Sequence, residues 1–228
     1  PLYYTIQNDG IYFASETRAL AELSGLNFPK NKEQIIRFIV NGYRSIYKQK
    51  ALFYEGINEV ESSMIIEIEN NLKIKKRTYW KFSKAETLSK TYQESVLLAA
   101  EALERATLLR LRSDVPIAFC MSGGIDSNAL IGIAKKQSSV DVHGFSIICD
   151  DQRYDETKEI NASLRHLGIR HTTVKPDKKN FLPNLMDLVK DHDAPLYTIS
   201  YYLHAQLLKS ISDSGYKVAI SGTGADEI

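Results

Sequence analysis

The sequence lacks most features that would place it in a special class. The longest apolar run falls well short of the ~18 residues that suggest a membrane span. Neither terminus carries the pattern of a secretory signal. Charge of one sign is missing too: 29 Lys and Arg stand against 28 Asp and Glu, a formal net charge of +1. No electrostatic footprint for nucleic acid or an anionic membrane follows from that balance. Cysteine is scarce, with Cys120 and Cys149 the two in 228 residues. Each ends an apolar stretch. They exclude a disulfide scaffold and read as reduced, buried thiols in a cytoplasmic protein, and their spacing does not support a redox pair. The five histidines (His143, His166, His171, His192 and His204) show no metal-ligand spacing. His166 and His171 flank Gly168 across a helix end and read as surface residues. There is no internal repeat and no low-complexity segment.

What is present is ordinary globular material. Hydrophobic residues make up 43% and charged residues 25%, enough for one large domain or two small ones with a sizeable core. The chain starts at Pro1 and stops at Ala225-Asp226-Glu227-Ile228, which reads as a fragment.

The first 82 residues read as mostly β. Leu2–Ile6 and Ile11–Ala14 are aromatic and β-branched runs around Asn8-Asp9-Gly10, a hairpin with turn chemistry. Asn31 with Gln34 resembles a capping box, followed by Ile35, Ile36 and Ile39 at helical spacing. Met64–Ile68 and Leu72–Ile74 flank Asn70-Asn71 as a second hairpin, and Tyr79–Phe82 closes the region. Residues 83–90 are polar and read as a linker. Thr91 and Glu94 then start a helix whose apolar face is Val96, Ala99, Ala100, Leu103 and Ala106.

From Val115 the pattern alternates. Strands are expected at Pro116–Met121, Val142–Ile148, Arg170–Val174 and Lys217–Ser221. Helices are expected at Asp126–Lys136, Asp155–Leu167, near Pro183–Asp191 and over Thr198–Ser212. Buried apolar strands separated by helices predict an α/β fold with a doubly wound parallel sheet.

Three segments carry chemistry. Ser122-Gly123-Gly124-Ile125-Asp126-Ser127 follows an apolar strand and opens a helix. Its glycines permit a tight turn and close approach of a ligand. Its N–H groups and those of the helix N-terminus can face an anion. Asp126 beside a phosphate calls for a divalent cation between them. Ser221-Gly222-Thr223-Gly224-Ala225-Asp226-Glu227 also follows a strand. In an open α/β sheet both loops can converge on one crevice, where Asp226 would supply a second carboxylate. Asp150–Glu156, after the strand ending at Cys149, is the third segment; it reads either as part of the site or as a solvated acidic loop capping a helix, where Asp155 and Glu156 favour the N-terminal dipole.

Leu111–Pro116 followed by Met121–Ser127 resembles the synthetase domain of glutamine-dependent asparagine synthetases, within the wider ATP-pyrophosphatase group. Ser221–Glu227 resembles that family's second phosphate loop. Pro1–Tyr4 and Phe13–Glu16 with Ala19-Leu20 resemble the last part of its class II glutaminase domain. The resemblance implies an adenine nucleotide alpha hydrolase-like sheet over residues 91–228, preceded by a β-rich remnant of an Ntn-type glutaminase domain over 1–82. It implies ATP-dependent amidation of a carboxylate through an acyl-adenylate, with AMP and pyrophosphate released and ammonia drawn from glutamine. Aspartate is the first acceptor to consider.

The implied site is specific. Ser122, Gly123, Gly124, Asp126 and Ser127 would bind pyrophosphate. Asp126 and Asp226 would hold Mg²⁺ and carry the catalytic role. Ser221 and Gly222 would meet the ribose or α-phosphate, and backbone around Cys120, Met121 and Ile147 would line the adenine pocket. His192–Pro195 with Tyr197, Ser200 and Tyr201 falls where the family binds its acceptor. The family's nucleophilic cysteine would lie upstream of Pro1, so this chain alone is not expected to hydrolyse glutamine. Thr223 stands where the family has a glutamate, which opens a rival reading: amidation of another acid, such as a sugar uronic acid in surface-polysaccharide synthesis. An intramolecular amide-forming synthetase, a tRNA-thiolating relative and a non-catalytic ATP-binding module complete the alternatives. The partners implied are a small carboxylate acceptor and ammonia, with a homodimer compatible and neither nucleic acid nor membrane expected.

Overall fold

The structure, a computed structural model, describes residues 1–43, 51–69, 72–81, 90–137 and 141–224. Asp226, Phe82, the Asn70-Asn71 turn and nearly all of the expected linker lie outside the described residues. The chain divides into two compact units: Pro1–Thr87 with Met186–Thr198, and Leu88–Leu185 with Ile199–Ile228.

The first unit is built on short antiparallel strands. β1 (Tyr3–Gln7) and β2 (Gly10–Ala14) form the expected hairpin, Gln7 pairing with Gly10. β3 (Asn58–Glu59) joins the other edge of β1. α1 (Thr17–Ser24) buries Leu20 against this sheet, where Tyr4 and Thr5 are also buried. No side chain of its own segment caps α1. Asp193, brought back by the returning segment, does so instead: its carboxylate accepts the Arg18 N–H at 2.8 Å and the Thr17 hydroxyl. A carboxylate is well placed there, because the first N–H groups of a helix lack internal partners. β4 (Met64–Ile68) and β5 (Ile74–Thr78) pair as the second hairpin. β5 starts two residues later than the pattern predicts.

α2 (Lys32–Asn41) is started by Asn31, whose side chain accepts the Gln34 N–H at 3.1 Å. The isoleucines fall at helical spacing as expected, but they are not what the helix buries. Gln34 is only 2% exposed, while Ile36 and Ile39 stand in solvent, Ile39 at 74%.

The second unit begins with α3 (Tyr92–Arg110). The Thr91–Glu94 capping box is reciprocal: Thr91 Oγ1 accepts the Glu94 N–H, and the Glu94 carboxylate accepts the Thr91 N–H at 2.7 Å. The apolar face, however, is largely uncovered in this chain. Val96 is 47% exposed and Leu103 42%, and Thr107 is the residue α3 buries.

Next come β6 (Ile117–Cys120), α4 (Ile125–Lys135), β7 (His143–Ile147), α5 (Thr157–Leu167), β8 (Arg170–Val174), α6 (Phe181–His192, whose residues from Met186 on belong to the first unit), α7 (Ser200–Asp213) and β9 (Val218–Ile220). The strands pair in parallel in the order β8-β7-β6-β9. Each element falls within a few residues of its predicted place. Gly168 closes α5 in the left-handed region, as a C′ glycine does. Pro183 lies in the first turn of α6, where its missing N–H costs nothing.

Both sheet faces are covered. Ile117, Phe119 and Met121 pack with Ile131 and Ala134 of α4 and with Leu164 and Leu167 of α5. Ala118 and Phe145 pack with Leu207 and Ile211 of α7 on the opposite face. The α/β expectation of a doubly wound parallel sheet therefore holds. The strand order reverses direction between β6 and β9, so their carboxyl ends border a topological switch point, where such sheets bind ligands.

Candidate functional site

The loops leaving β6 and β9 meet at that switch point. They line a cleft of about 340 Å³ with Cys120, Met121, Ser122, Gly124, Asp126 and Ser127 from one side. Ser221, Gly222 and Thr223 come from β9, Ile147 from β7, Glu156 from the loop before α5, and His204 and Leu207 from α7.

The approach of the two loops is backbone to backbone. A Cβ built on Gly222 would lie 2.8 Å from the Ser127 nitrogen and 3.2 Å from the Asp126 carbonyl carbon. Any side chain there would push the second loop off the start of α4. Gly123 is equally constrained: a Cβ on it would lie 2.8 Å from Glu159 Cβ and 3.3 Å from Glu156 Cβ.

The first loop is held by its own polar groups. The Ser122 N–H donates to Ser127 Oγ at 3.2 Å, the two hydroxyls are 3.0 Å apart, and the Gly124 N–H donates to Ser122 Oγ at 3.2 Å. Gly123 donates its N–H to the Glu156 carboxylate at 2.8 Å. The sequence reading left these three N–H groups open to an anion. That is corrected here: protein oxygens accept all three, because Ser122, Ser127 and Glu156 reach them first. Among the described residues no side chain caps α4, whose N-cap is Gly124. The helix N-terminus thus keeps its affinity for negative charge.

One residue that holds this loop was not singled out from the sequence. Asn128 Nδ2 donates to the carbonyls of Ser122 at 3.0 Å and Gly124 at 2.7 Å, clamping the turn from beneath. Its Oδ1 is buried with no hydrogen-bond partner among the described residues. The signal was available, since Asn128 follows the motif directly and lies four residues beyond Gly124. Glu156 belongs to the third segment that carries chemistry, yet nothing local shows that it reaches Gly123, 33 positions away.

The other expected residues divide. Cys120 and Ile147 line the cleft. The Cys120 thiol is only partly buried rather than fully so, and burial pushes its pKa up. Met121 contributes to the cleft but buries its side chain in the core. Gly123 is not a lining residue. Thr223 Oγ1 lies 2.8 Å from Ser221 Oγ, and the Thr223 N–H donates to the same hydroxyl at 3.2 Å, so the second loop presents a hydroxyl pair. Asp126 reaches the cleft, and among the described residues its carboxylate has no ion-pair partner. No group of three or more metal-binding side chains occurs among the described residues. Asp126 and Glu156 are the carboxylates that line the cleft among them, so a cation there would have acidic donors. The His192–Tyr197 segment belongs to the first unit, where Asp193 caps α1, whereas Ser200 and Tyr201 open α7 of the second.

Outside the cleft, two histidines are more than surface residues. His143 lies between the Tyr216 hydroxyl at 3.0 Å and the Thr172 hydroxyl at 2.9 Å. His171 Nε2 is 2.9 Å from the hydroxyl of fully buried Ser146. This corrects the surface reading of His171. Burial holds the pKa of both below the ordinary value; Arg170 adds to this at His143, against Asp141, and His143 adds to it at His171.

The fold and loops define an α/β domain with a crevice at its switch point. Residues 98–228 match the family described as Asparagine synthase, and residues 1–80 match the Glutamine amidotransferase domain. The chain belongs to the asparagine synthase family. It is 27% identical to "Asparagine synthetase [glutamine-hydrolyzing] 1" of Bacillus subtilis, with 100% of this chain and 35% of that protein covered. It is 25% identical to "Amidase chyE" of Penicillium rubens, over 99% of this chain and 35% of that protein. It is 24% identical to "Putative asparagine synthetase [glutamine-hydrolyzing] 2" of Methanocaldococcus jannaschii, over 100% and 44% respectively. The chain thus spans between a third and a half of the length of these relatives.

Proposed function

We propose that this chain is the central part of an enzyme that amidates a carboxylate at the expense of ATP, using ammonia from glutamine. Residues 1–82 would be the last part of the glutaminase domain, 83–90 a connection, and 91–228 the first part of the synthetase domain. The observation that carries this reading is the contact of Gly222 with the start of α4, which no side chain among the described residues caps. It joins the two loops of a family sequence into one anion-receiving crevice.

A carboxylate is a poor electrophile. Its attack on the α-phosphorus of ATP forms an acyl-adenylate and expels pyrophosphate, and ammonia then displaces AMP at the acyl carbon. The chain's work is to position reactants and meet developing charge. The N–H groups at the start of α4 and the hydroxyls of Ser122 and Ser127 would receive the leaving pyrophosphate. Displacement of Glu156 would free the Gly123 N–H as well. Ser221 and Gly222 would border the ribose or α-phosphate, and Cys120 and Ile147 the adenine. Mg²⁺ suits the acidic donors of the site, with Asp126 and Asp226 holding it; when bound it would neutralise charge on the pyrophosphate.

Aspartate is the first acceptor by family, which makes asparagine the first product. Thr223 favours a second reading, because its hydroxyl replaces a carboxylate beside the reacting groups. In that reading the acceptor is a different acid, such as a sugar uronic acid. The test is pyrophosphate–ATP exchange by the full-length protein with Mg²⁺, comparing aspartate with a panel of uronic acids. Exchange that needs aspartate and vanishes in Asp126→Asn supports asparagine synthesis. Exchange with another acid alone keeps the mechanism and moves the substrate. Exchange that survives Asp126→Asn undiminished contradicts the role given to that carboxylate. If Thr223 sets acceptor choice, Thr223→Glu shifts the exchange preference toward aspartate.

A further inference from the structure

The second unit carries another cavity at the carboxyl edge of its sheet, formed by the segments after β7 and β8 and the start of α7. Its volume is about 630 Å³, within the range of small-molecule sites. Ile148, Phe181, Ile199, Tyr202 and Leu203 give it apolar walls. Tyr202 is fixed in place: it is 3% exposed, its hydroxyl donates to the Asp177 carbonyl at 2.7 Å, and its ring meets Phe181 edge-on with centroids 5.0 Å apart. The wall is therefore a braced aromatic pair.

Three aspartates and three lysines surround it, but the aspartates are already engaged. Asp150 pairs with Lys178 at 2.7 Å. Asp151 pairs with Arg153 at 2.7 Å. Asp177 accepts the N–H groups of Lys179 at 3.0 Å and Asn180 at 3.1 Å, and the Asn180 side-chain amide at 2.8 Å, which starts α6. Among the described residues no carboxylate lies within ion-pairing distance of Lys175 or Lys179, although Lys175 adds a weaker attraction at Asp150. An apolar cavity with two cations to spare at its rim suits a ligand with the same two parts.

We propose that this cavity is a second ligand site, for a small organic acid with an aromatic or apolar body. The body packs on Phe181 and Tyr202, and Lys175 and Lys179 meet the acid group. The site is separate from the β6–β9 cleft and does not depend on the function proposed for that cleft.

The two cysteines report on it. Cys149 lines this cavity as a free thiol, while Cys120 lines the other cleft. The full-length protein is treated with dithiobis-nitrobenzoate, an aromatic acid disulfide, or with neutral dithiodipyridine. In each case the thiolate attacks the S–S bond, forming a mixed disulfide and expelling an aryl thiolate, and the thiol proton goes to solvent. Peptide mass spectrometry assigns the rate to each cysteine, and a free cysteine peptide supplies the reference ratio of the two reagents. Whatever sets the thiolate fraction of Cys149 is common to both reagents and cancels in the ratio. The anionic reagent should gain about tenfold at Cys149 from local charge. The double variant Lys175→Gln/Lys179→Gln should remove that gain and leave the neutral rate unchanged. Phenylbutyrate should protect Cys149 in the native protein, and phenylbutylammonium should not. A reagent ratio equal to that of the free peptide, a gain that survives the double variant, or equal protection by the cation would overturn the proposal.

Discussion

Single residues set the chemistry of the cleft, and Glu156 has the least expected effect. Its carboxylate accepts the Gly123 N–H at 2.8 Å, at the edge of the surface that should face phosphate. An incoming anion must compete with it for that donor and approach against its charge. Glu156→Gln keeps an acceptor and removes the charge, so pyrophosphate should bind several-fold tighter to this variant when Mg²⁺ is absent. Weaker binding without metal would mean that the carboxylate serves the loop's shape alone. Calorimetric titration of both proteins decides this. His143 and His171 make a second residue-scale prediction. Both have folded pKa values held below the ordinary 6.5, mainly by burial. As pH falls, the unfolded chain takes up these protons first. The stabilisation is complete above the unfolded value and is lost as pH falls through it toward the folded values. The urea midpoint should therefore drop between about pH 7.5 and about pH 5.5, a window above that of the carboxylates. His171→Gln should flatten the drop, and an equally steep fall in that variant would contradict the assignment.

At the scale of elements, local signals were legible and distant ones were not. Thr91 with Glu94 and Asn31 with Gln34 mark helix starts because a cap acts within one turn. Gly168 marks a helix end for the same reason. The position of the glycine loop after β6 could be read because strand, glycines and helix follow one another in sequence. What covers an apolar face could not be read. Val96 and Leu103 lie at helical spacing yet remain exposed, and Gln34 is buried while Ile36 and Ile39 are not. Periodicity defines a face, whereas burial depends on residues elsewhere. Asp193 illustrates the same limit, since it caps α1 from 175 positions away. Removing the Asn31 cap tests how much a local signal is worth. Asn31→Ala should cost about 1 kcal/mol, with hydrogen exchange accelerated in the first turn of α2 ahead of β1. Unchanged exchange in that turn would show that the cap observed at Gln34 contributes nothing measurable.

At the scale of the molecule, the parallel sheet is the frame that brings two distant loops together. Phe145 is fully buried, within the cluster that joins β7 to α7, and Ile147 of the same strand lines the cleft. Phe145→Ala should cost about 3–5 kcal/mol, and thermal unfolding should show the loss. The central claim is that the loops after β6 and β9 form a single anion site, and Gly222→Ala tests it most directly. The added methyl would come within 2.8 Å of the Ser127 nitrogen, yet Gly222 has no side chain of its own to lose. The measurement is calorimetric titration of the full-length protein with pyrophosphate, with circular dichroism to confirm that the variant keeps its fold. Affinity at least about tenfold weaker than that of the native protein, in a folded variant, is the expected result. Unchanged affinity in a folded variant would mean that the second loop does not help to form the phosphate site, and would contradict the account.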